Sequence, residues 1–164
     1  MKLIIFRKGV KNEVLYDDKD HELISKYKWF VNNGGYAVCW NGTENGKRVL
    51  IIMHRLILGV KSKEIHVDHA NHNKLDNRRC NIRTCTREQN ARNRTGYGTS
   101  KYLGASMFFC ERKGKRYGPY YRALIQVDKK SKHLGVFKTE EAAAMAHDEA
   151  AKKYYGEFAN LNFK

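Results

Sequence analysis

At 164 residues the chain has room for one or two small domains. A composition that is 41% hydrophobic and 12% aromatic excludes a disordered polymer, and no run approaches the ~20 apolar residues of a membrane span. The net charge of +15, from 32 Lys and Arg against 17 Asp and Glu, points to an anionic partner, nucleic acid before others.

The basic excess belongs to both halves. Residues 1–95 carry 19 basic and 10 acidic groups, and residues 96–164 carry 13 and 7. Neither half is a neutral domain with a charged tail. The opening MKLIIFRKGV has too short an apolar run for a secretory signal, and the four cysteines are scattered. Reduced thiols and a soluble, cytoplasmic protein that is not secreted are the expectation.

In chain order, KLIIF and KNEVLYDD read as two short strands. DDKDHELISKYKW places acidic residues before a helical spacing at Leu23, Ile24 and Tyr27, which predicts a short helix with Asp20 or a neighbour as its N-cap. GYAVCW and KRVLIIMH are β-type runs on either side of the turn signal NGTENG, so they should pair antiparallel. HRLILG reads as a short helix or a strand end. Trp29 and Trp40 are expected in the core, and the cysteines are expected as small buried apolar residues.

Next come IHVDHA as a strand, NHNKLDNRR as a loop, NIRTCT as a strand and TREQNARNR as a helix capped by Thr86. The polar joint TGYGTS, with residues 96–100 as linker, is the expected boundary between a domain over 1–95 and one over 101–164. The second part reads as three strands, YLGASMFF, YYRALIQVD and SKHLGVF, separated by the turns RKGKRYG and KK. A helix follows over TEEAAAMAHDEAAKKYYG, with Thr139 as cap, Glu140 and Glu141 at its positive end, Lys152 and Lys153 at its negative end and Gly156 beyond it. The fold class is therefore α+β.

The stretch VDHANHNKLDNRRCNIRTCTREQNARNR, Val67 to Arg94, is dense in His, Asn and Arg and poor in large apolar residues. Its groups match the needs of phosphodiester hydrolysis. His69 is a base that titrates near neutral pH, and Asp68 offers a hard oxygen to a divalent cation. Asn81 and Asn90 follow, the latter on the predicted helix. Arg78, Arg79, Arg83, Arg87 and Arg94 suit phosphate contact. Adjacent strand residues point to opposite faces, so the strand must end or twist at Asp68 and His69. His66 and His72 read as surface or loop histidines, and Asn71, Asn73 and Asn77 as turn-shaping residues. Asn93 rivals Asn90, and His54 is balanced between packing and DNA contact. Cys80 and Cys85 have C-x4-C spacing with no second pair, which disfavours structural zinc.

These residues, in VDH, NKLDNR, NIR and TREQN, resemble the HNH endonuclease motif of phage and intron homing enzymes, and MHRLILG resembles the segment that often precedes it. The resemblance covers about 28 residues, with Ile82 where Leu is usual. It implies a ββα-metal module (core 65–94) preceded by a β-rich region, and cleavage of DNA with one divalent metal, magnesium first and manganese as the alternative. By the same resemblance, His69 is the general base, Asp68 and Asn90 hold the metal, Asn81 fixes the loop and orients His69, and Arg83 lies near the scissile phosphate.

The second part resembles the APETALA2/ethylene-response-factor DNA-binding domain over nearly all of 101–163. The shared elements are YLG, LGVFKTEEAAAMAHDEAA and GEFANLNF. That resemblance implies a three-stranded sheet in the DNA major groove, packed on one helix. Ser106, Phe108, Arg122, Leu124, Gln126, Ser131 and His133 would face DNA, while Tyr121, Ala123, Ile125 and Val127 would face the helix. Lys101, Arg112, Lys113, Lys115 and Arg116 would contact phosphates. The plant domains fill the groove face largely with Arg and Trp, so the base preference does not carry over. Together the two parts resemble homing endonucleases acting on double-stranded DNA, monomeric, with a dimer and a non-cleaving DNA-binding regulator as the alternatives.

Overall fold

The computed structural model describes residues 1–92 and 100–163, so Asn93, Arg94 and most of the expected 96–100 linker lie outside the described residues. The chain divides into two compact units, Met1–Asn90 and Ala91–Lys164, each a mixture of small sheets and few helices.

The first unit opens with an antiparallel hairpin, β1 (Lys2–Arg7) and β2 (Val10–Leu15). Its turn is Lys8–Gly9, both at positive φ, so β2 starts one residue earlier than the sequence predicts and ends before the acidic Asp17–Asp18. After a 3-10 turn at Asp18–Asp20 comes α1 (His21–Ser25). Asp20 precedes α1 but makes no side-chain capping bond. Its carboxylate is only 3% exposed and takes the Arg79 guanidinium through Nε at 3.0 Å and Nη2 at 2.7 Å. Arg79 also donates its backbone N–H to Asp17 and a guanidinium hydrogen to the Ile57 carbonyl. A residue expected to start a helix thus ties together segments 59 residues apart, because a buried carboxylate needs a charged partner more than a short helix needs a cap.

A three-stranded antiparallel sheet follows in the order β3 (Phe30–Val31), β4 (Ala37–Glu44) and β5 (Lys47–Ile52), and HRLILG resolves into α2 (Met53–Ile57). β6 (His66–His69) and β7 (Ile82–Cys85) form a separate antiparallel pair, and α3 (Arg87–Arg92) follows after one residue. Thr86 starts α3 as read from the sequence. Its Oγ1 accepts the Gln89 N–H at 3.2 Å, and the Gln89 side chain accepts the Thr86 N–H at 2.8 Å, a reciprocal capping box. The core gathers Ile5, Val14, Tyr16, Ile24, Val31, Met53, Ile57 and Ile82 from nearly every element. Trp29 packs against it and donates Nε1–H to the Ile24 carbonyl. Trp40, expected beside it, is 51% exposed. The cysteines also divide: Cys39 and Cys85 are buried, Cys80 and Cys110 exposed. Local sequence could not separate these pairs, because each member sits in similarly mixed surroundings.

The second unit is a three-stranded antiparallel sheet, order β10 (Lys130–Phe137), β9 (Lys115–Val127), β8 (Ala105–Arg112), with α4 (Glu140–Tyr155) against it. β9 is longer than read from the sequence. The expected turn RKGKRYG shrinks to Lys113–Gly114, both at positive φ, and the flanking basic residues join the ladder with Arg112 opposite Lys115. Asp128–Lys129 makes the second two-residue turn in the same way. Thr139 caps α4 by accepting the Ala142 N–H, and Ala143, Ala144, Ala150 and Ala151 form the buried face. Asp148 on α4 accepts from the Asn162 backbone and amide and from the Phe163 backbone, while Asn162 bonds both ways with Leu103. The chain end is thereby tied to the strand entry.

Gly104 sets how close α4 can come. It sits at φ +76°, and a Cβ there would lie 1.9 Å from Cδ2 of the buried His147. Gly104→Ala should therefore destabilise this unit by about 2–4 kcal/mol through overpacking and backbone strain. Gly114→Ala, with open space around it, should cost about 1 kcal/mol. Thermal unfolding followed by circular dichroism checks the difference; equal midpoints for the two variants would refute the close-approach account.

Candidate active site

Asp68 and His69 end β6, and both are buried although their residue types favour water. The strand stops where the sequence argument requires. Beyond it, the Ala70 N–H bonds to the Asn81 carbonyl and closes a loop over residues 70–81. Directly across β7, Arg83 faces Asp68 and Ile82 faces His69. Arg83 donates Nε and Nη2 to Asp68 Oδ2 at 3.1 and 2.8 Å.

The loop is held by polar groups. Asn81 donates its amide to the Asp76 carbonyl at 2.7 Å and accepts the Asn71 N–H at 3.0 Å. Asp76 is buried, takes two hydrogen bonds of 2.7 Å from Arg78 and one of 2.9 Å from Asn71, and these hold its carboxyl below the usual range. Asn71 and Asn73 accept N–H bonds two residues on, the geometry of turn-shaping asparagines. Asn77 is buried, and its side chain lies against the His69 ring. His72 occupies a positive φ of 63° in the loop, and His66 is half-buried on β6.

The His69 ring sits in an aromatic recess. The His54 ring, from α2, meets it edge-to-face with centroids 4.9 Å apart, and Tyr36, just before β4, lies 6.1 Å away and also contacts His54. Lys74 stands over the Tyr36 ring and bonds the Gly34 carbonyl. Burial pushes the His69 ring below the ordinary histidine range, against the opposing pull of Asn77, Asp68 and Asp76. For His54, burial, then His69 and Arg55, push it down to about 3. Burial thus favours the neutral form of both rings, and a neutral imidazole can take a proton.

The structure thus brings Asp68, His69 and Arg83 onto one strand pair, with Asn81 in the loop immediately before β7. Asn90 follows, half-buried, one turn into α3. Arg78 and Arg79, read as phosphate contacts, spend their guanidinium groups on Asp76 and Asp20. Arg87 is exposed at the start of α3, and Arg94 lies outside the described residues. Tyr36 and His54 are the wall of the site. Only His54 had a sequence signal, in MHRLILG; Tyr36 had none, since it reaches the site through sheet pairing. Among the described residues, no group of three or more His, Cys, Asp and Glu comes together to hold an ion.

In the second unit, Ser106 and Phe108 on β8, Arg122, Leu124 and Gln126 on β9 and His133 on β10 share the face away from α4. Ser106 lies opposite Arg122 and His133 opposite Leu124. Arg122 stacks 4.8 Å over the Phe108 ring, and Arg116 stacks 3.9 Å over Phe109. Arg112 is exposed at the hairpin end, whereas Lys101 pairs with Glu141 of α4 at 3.6 Å. Among the described residues, no helix is long and apolar enough to cross a membrane.

The HNH endonuclease family model matches residues 52–92, from the end of β5 through α3. An uncharacterized HNH endonuclease of Acanthamoeba polyphaga mimivirus is 32% identical over 142 residues, covering 85% of this chain and 69% of the relative. An alignment of that length runs past the 90 residues of the first unit and into the second. The buried Asp–His pair at the end of β6 is therefore the centre of a segment shared with a known family, and the chain belongs to the HNH endonucleases.

Proposed function

We propose that the protein is a DNA endonuclease of the homing type, in which the β6–β7–α3 segment is a ββα-metal centre and the second unit directs it to its site. The observation that carries this is His69: a buried imidazole beside a buried carboxylate, in a chain of net charge +15.

His69 takes the proton of the attacking water while the new O–P bond forms and the P–O3′ bond breaks. His54, Tyr36 and Asn77 hold its ring. Asn81 keeps the loop closed beneath it. Asp68, with Asn90 from α3, is the oxygen donor set for a divalent cation, magnesium before manganese. One carboxylate and one amide suit an ion that keeps most of its waters. When bound, such an ion supplies positive charge to the phosphate and to the leaving oxygen. Arg83, already paired with Asp68, is the cation nearest the reacting phosphate. The Arg122–Phe108 face of β8–β10 fits a duplex groove in the manner of APETALA2-type domains, with Ser106, Leu124, Gln126 and His133 beside it and Arg112 and Arg116 on phosphates. One observation favours a second reading, a non-cleaving DNA-binding regulator: the Arg83 pair occupies the Asp68 carboxylate.

Purified protein with supercoiled DNA and magnesium should nick or linearise it at discrete places. EDTA should stop this, and His69→Ala should lower the rate by about 10²–10⁴-fold while still binding DNA. Cleavage by His69→Ala at the wild-type rate would refute the assignment of the base; binding without cleavage by the wild type in magnesium or manganese would favour the regulator.

The buried histidines also set a pH dependence. His54 binds its proton near pH 6.5 when unfolded and near 3 when folded, so below pH 6.5 the unfolded chain gains protons that the fold refuses. Stability is full above about pH 6.5 and falls as pH drops through that window. Both tryptophans lie in the first unit, so their fluorescence follows its unfolding. The urea midpoint should be lower at pH 5 than at pH 7.5, and His54→Phe should shrink the difference. An unchanged difference in that variant would count against the assignment.

A further inference from the structure

Trp40 is the first of nine consecutive exposed residues, 40–48. Over this span β4 and β5 leave the body as a two-stranded ribbon, closed by an Asn45–Gly46 turn with both residues at positive φ. At its root Phe30 lies 5.8 Å from Trp40, Leu50 sits directly across from Trp40 and is itself 40% exposed, and Arg48 stands 5.7 Å over the indole. Arg48 pairs with no acidic side chain among the described residues. An aromatic platform with a free cation stacked on it is poorly explained as packing.

Its position is informative. The strands that project the ribbon also build the active-site wall, since Tyr36 precedes β4 and His54 follows β5, and both contact His69. Trp40 is four residues beyond Tyr36, and Leu50 is four before His54. At ~3.3 Å per strand residue the platform stands about 13 Å along the ribbon from the catalytic recess. That is the rise of about four base pairs. A two-stranded ribbon is narrow enough to enter a groove, and apolar side chains on such ribbons pack against sugars or wedge between base steps.

We propose that the β4–β5 ribbon is a DNA-docking arm, in which Trp40, backed by Phe30 and Leu50, packs against the duplex about four base pairs from the scissile phosphate and Arg48 holds a neighbouring phosphate. It rests on the reading of the β6–β7 site as the cleavage centre. The partner is duplex DNA rather than a second copy of the chain, because the first 95 residues carry 19 basic groups against 10 acidic and would repel their like.

The test uses the full chain carrying His69→Ala, without metal, titrated onto a labelled random-sequence duplex. Trp40→Ala should weaken binding by about tenfold, and Trp40→Phe, which keeps an aromatic face, should restore most of it. Arg48→Ala should weaken binding and reduce the salt slope by about one. In the cleavage-competent chain, Trp40→Ala should raise KM more than it lowers kcat. If Trp40→Ala binds and cleaves as the parent does, with an unchanged urea midpoint, the arm is refuted. If Trp40→Ala instead dissociates a dimer in sedimentation and leaves DNA affinity unchanged, the face belongs to a second copy and the proposal falls. If wild type cleaves nothing yet Trp40→Ala still loses affinity, the ribbon's contact with DNA stands, while the nuclease reading and the arm's placement beside a scissile phosphate fail.

Discussion

The first unit depends on a loop that has almost nothing apolar to hold it. Between β6 and β7 the chain must turn through residues 70–81, and only Leu75 among its side chains packs on the core. The fold solves this with a buried carboxylate. Asp76 collects Arg78 and Asn71, its carbonyl takes Asn81, and the residues on either side of it pair with the end of β2 through Leu15, whose N–H bonds the Leu75 carbonyl and whose carbonyl accepts from Asn77. An unpaired buried charge costs several kcal/mol, so the Asp76 carboxylate holds the loop in the shape that brings Arg78 and Asn71 to it. That demand explains why a stretch so rich in Asn, Asp and Arg forms one defined shape.

The same network positions the His69 ring. With Asn81 closing the loop and Asn77 on the ring, His69 has little freedom at the end of its strand. Arg79, tied to Asp20 and to the Ile57 carbonyl, anchors the loop to the 3-10 turn before α1 and to α2, and α2 carries His54. Several residues that resemble a DNA-binding set therefore act inside the protein. The arginines nearest the motif divide between bracing the loop, as with Arg78 and Arg79, and pairing with the buried Asp68 carboxylate, as with Arg83. A basic count alone cannot make that division.

Much was legible in the sequence. The strand–loop–strand–helix order around Asp68 and His69, the Thr86 and Thr139 caps and the alanine face of α4 follow from local rules: period, capping and turn chemistry act within a few residues. The turn RKGKRYG was read too long around Lys113–Gly114, and β2 was read one residue too late after Lys8–Gly9. Basic residues near a Gly look like loop until their partners across the ladder are known. Asp20 was read as a cap for the same reason, since its true partner lies 59 residues away.

Alone, the sequence determined which residues are candidates for the chemistry: a His and an Asp adjacent on a strand, asparagines spaced around them and a basic excess throughout. Residue type and spacing decide what a group can bind or titrate. Only the tertiary structure decided what surrounds those groups. It set Tyr36 and His54 against His69, buried both imidazoles and so favoured their neutral form, and turned Trp29 inward and Trp40 outward. Burial and cross-strand pairing join residues distant in the chain, and no local pattern encodes which of two similar side chains will meet water.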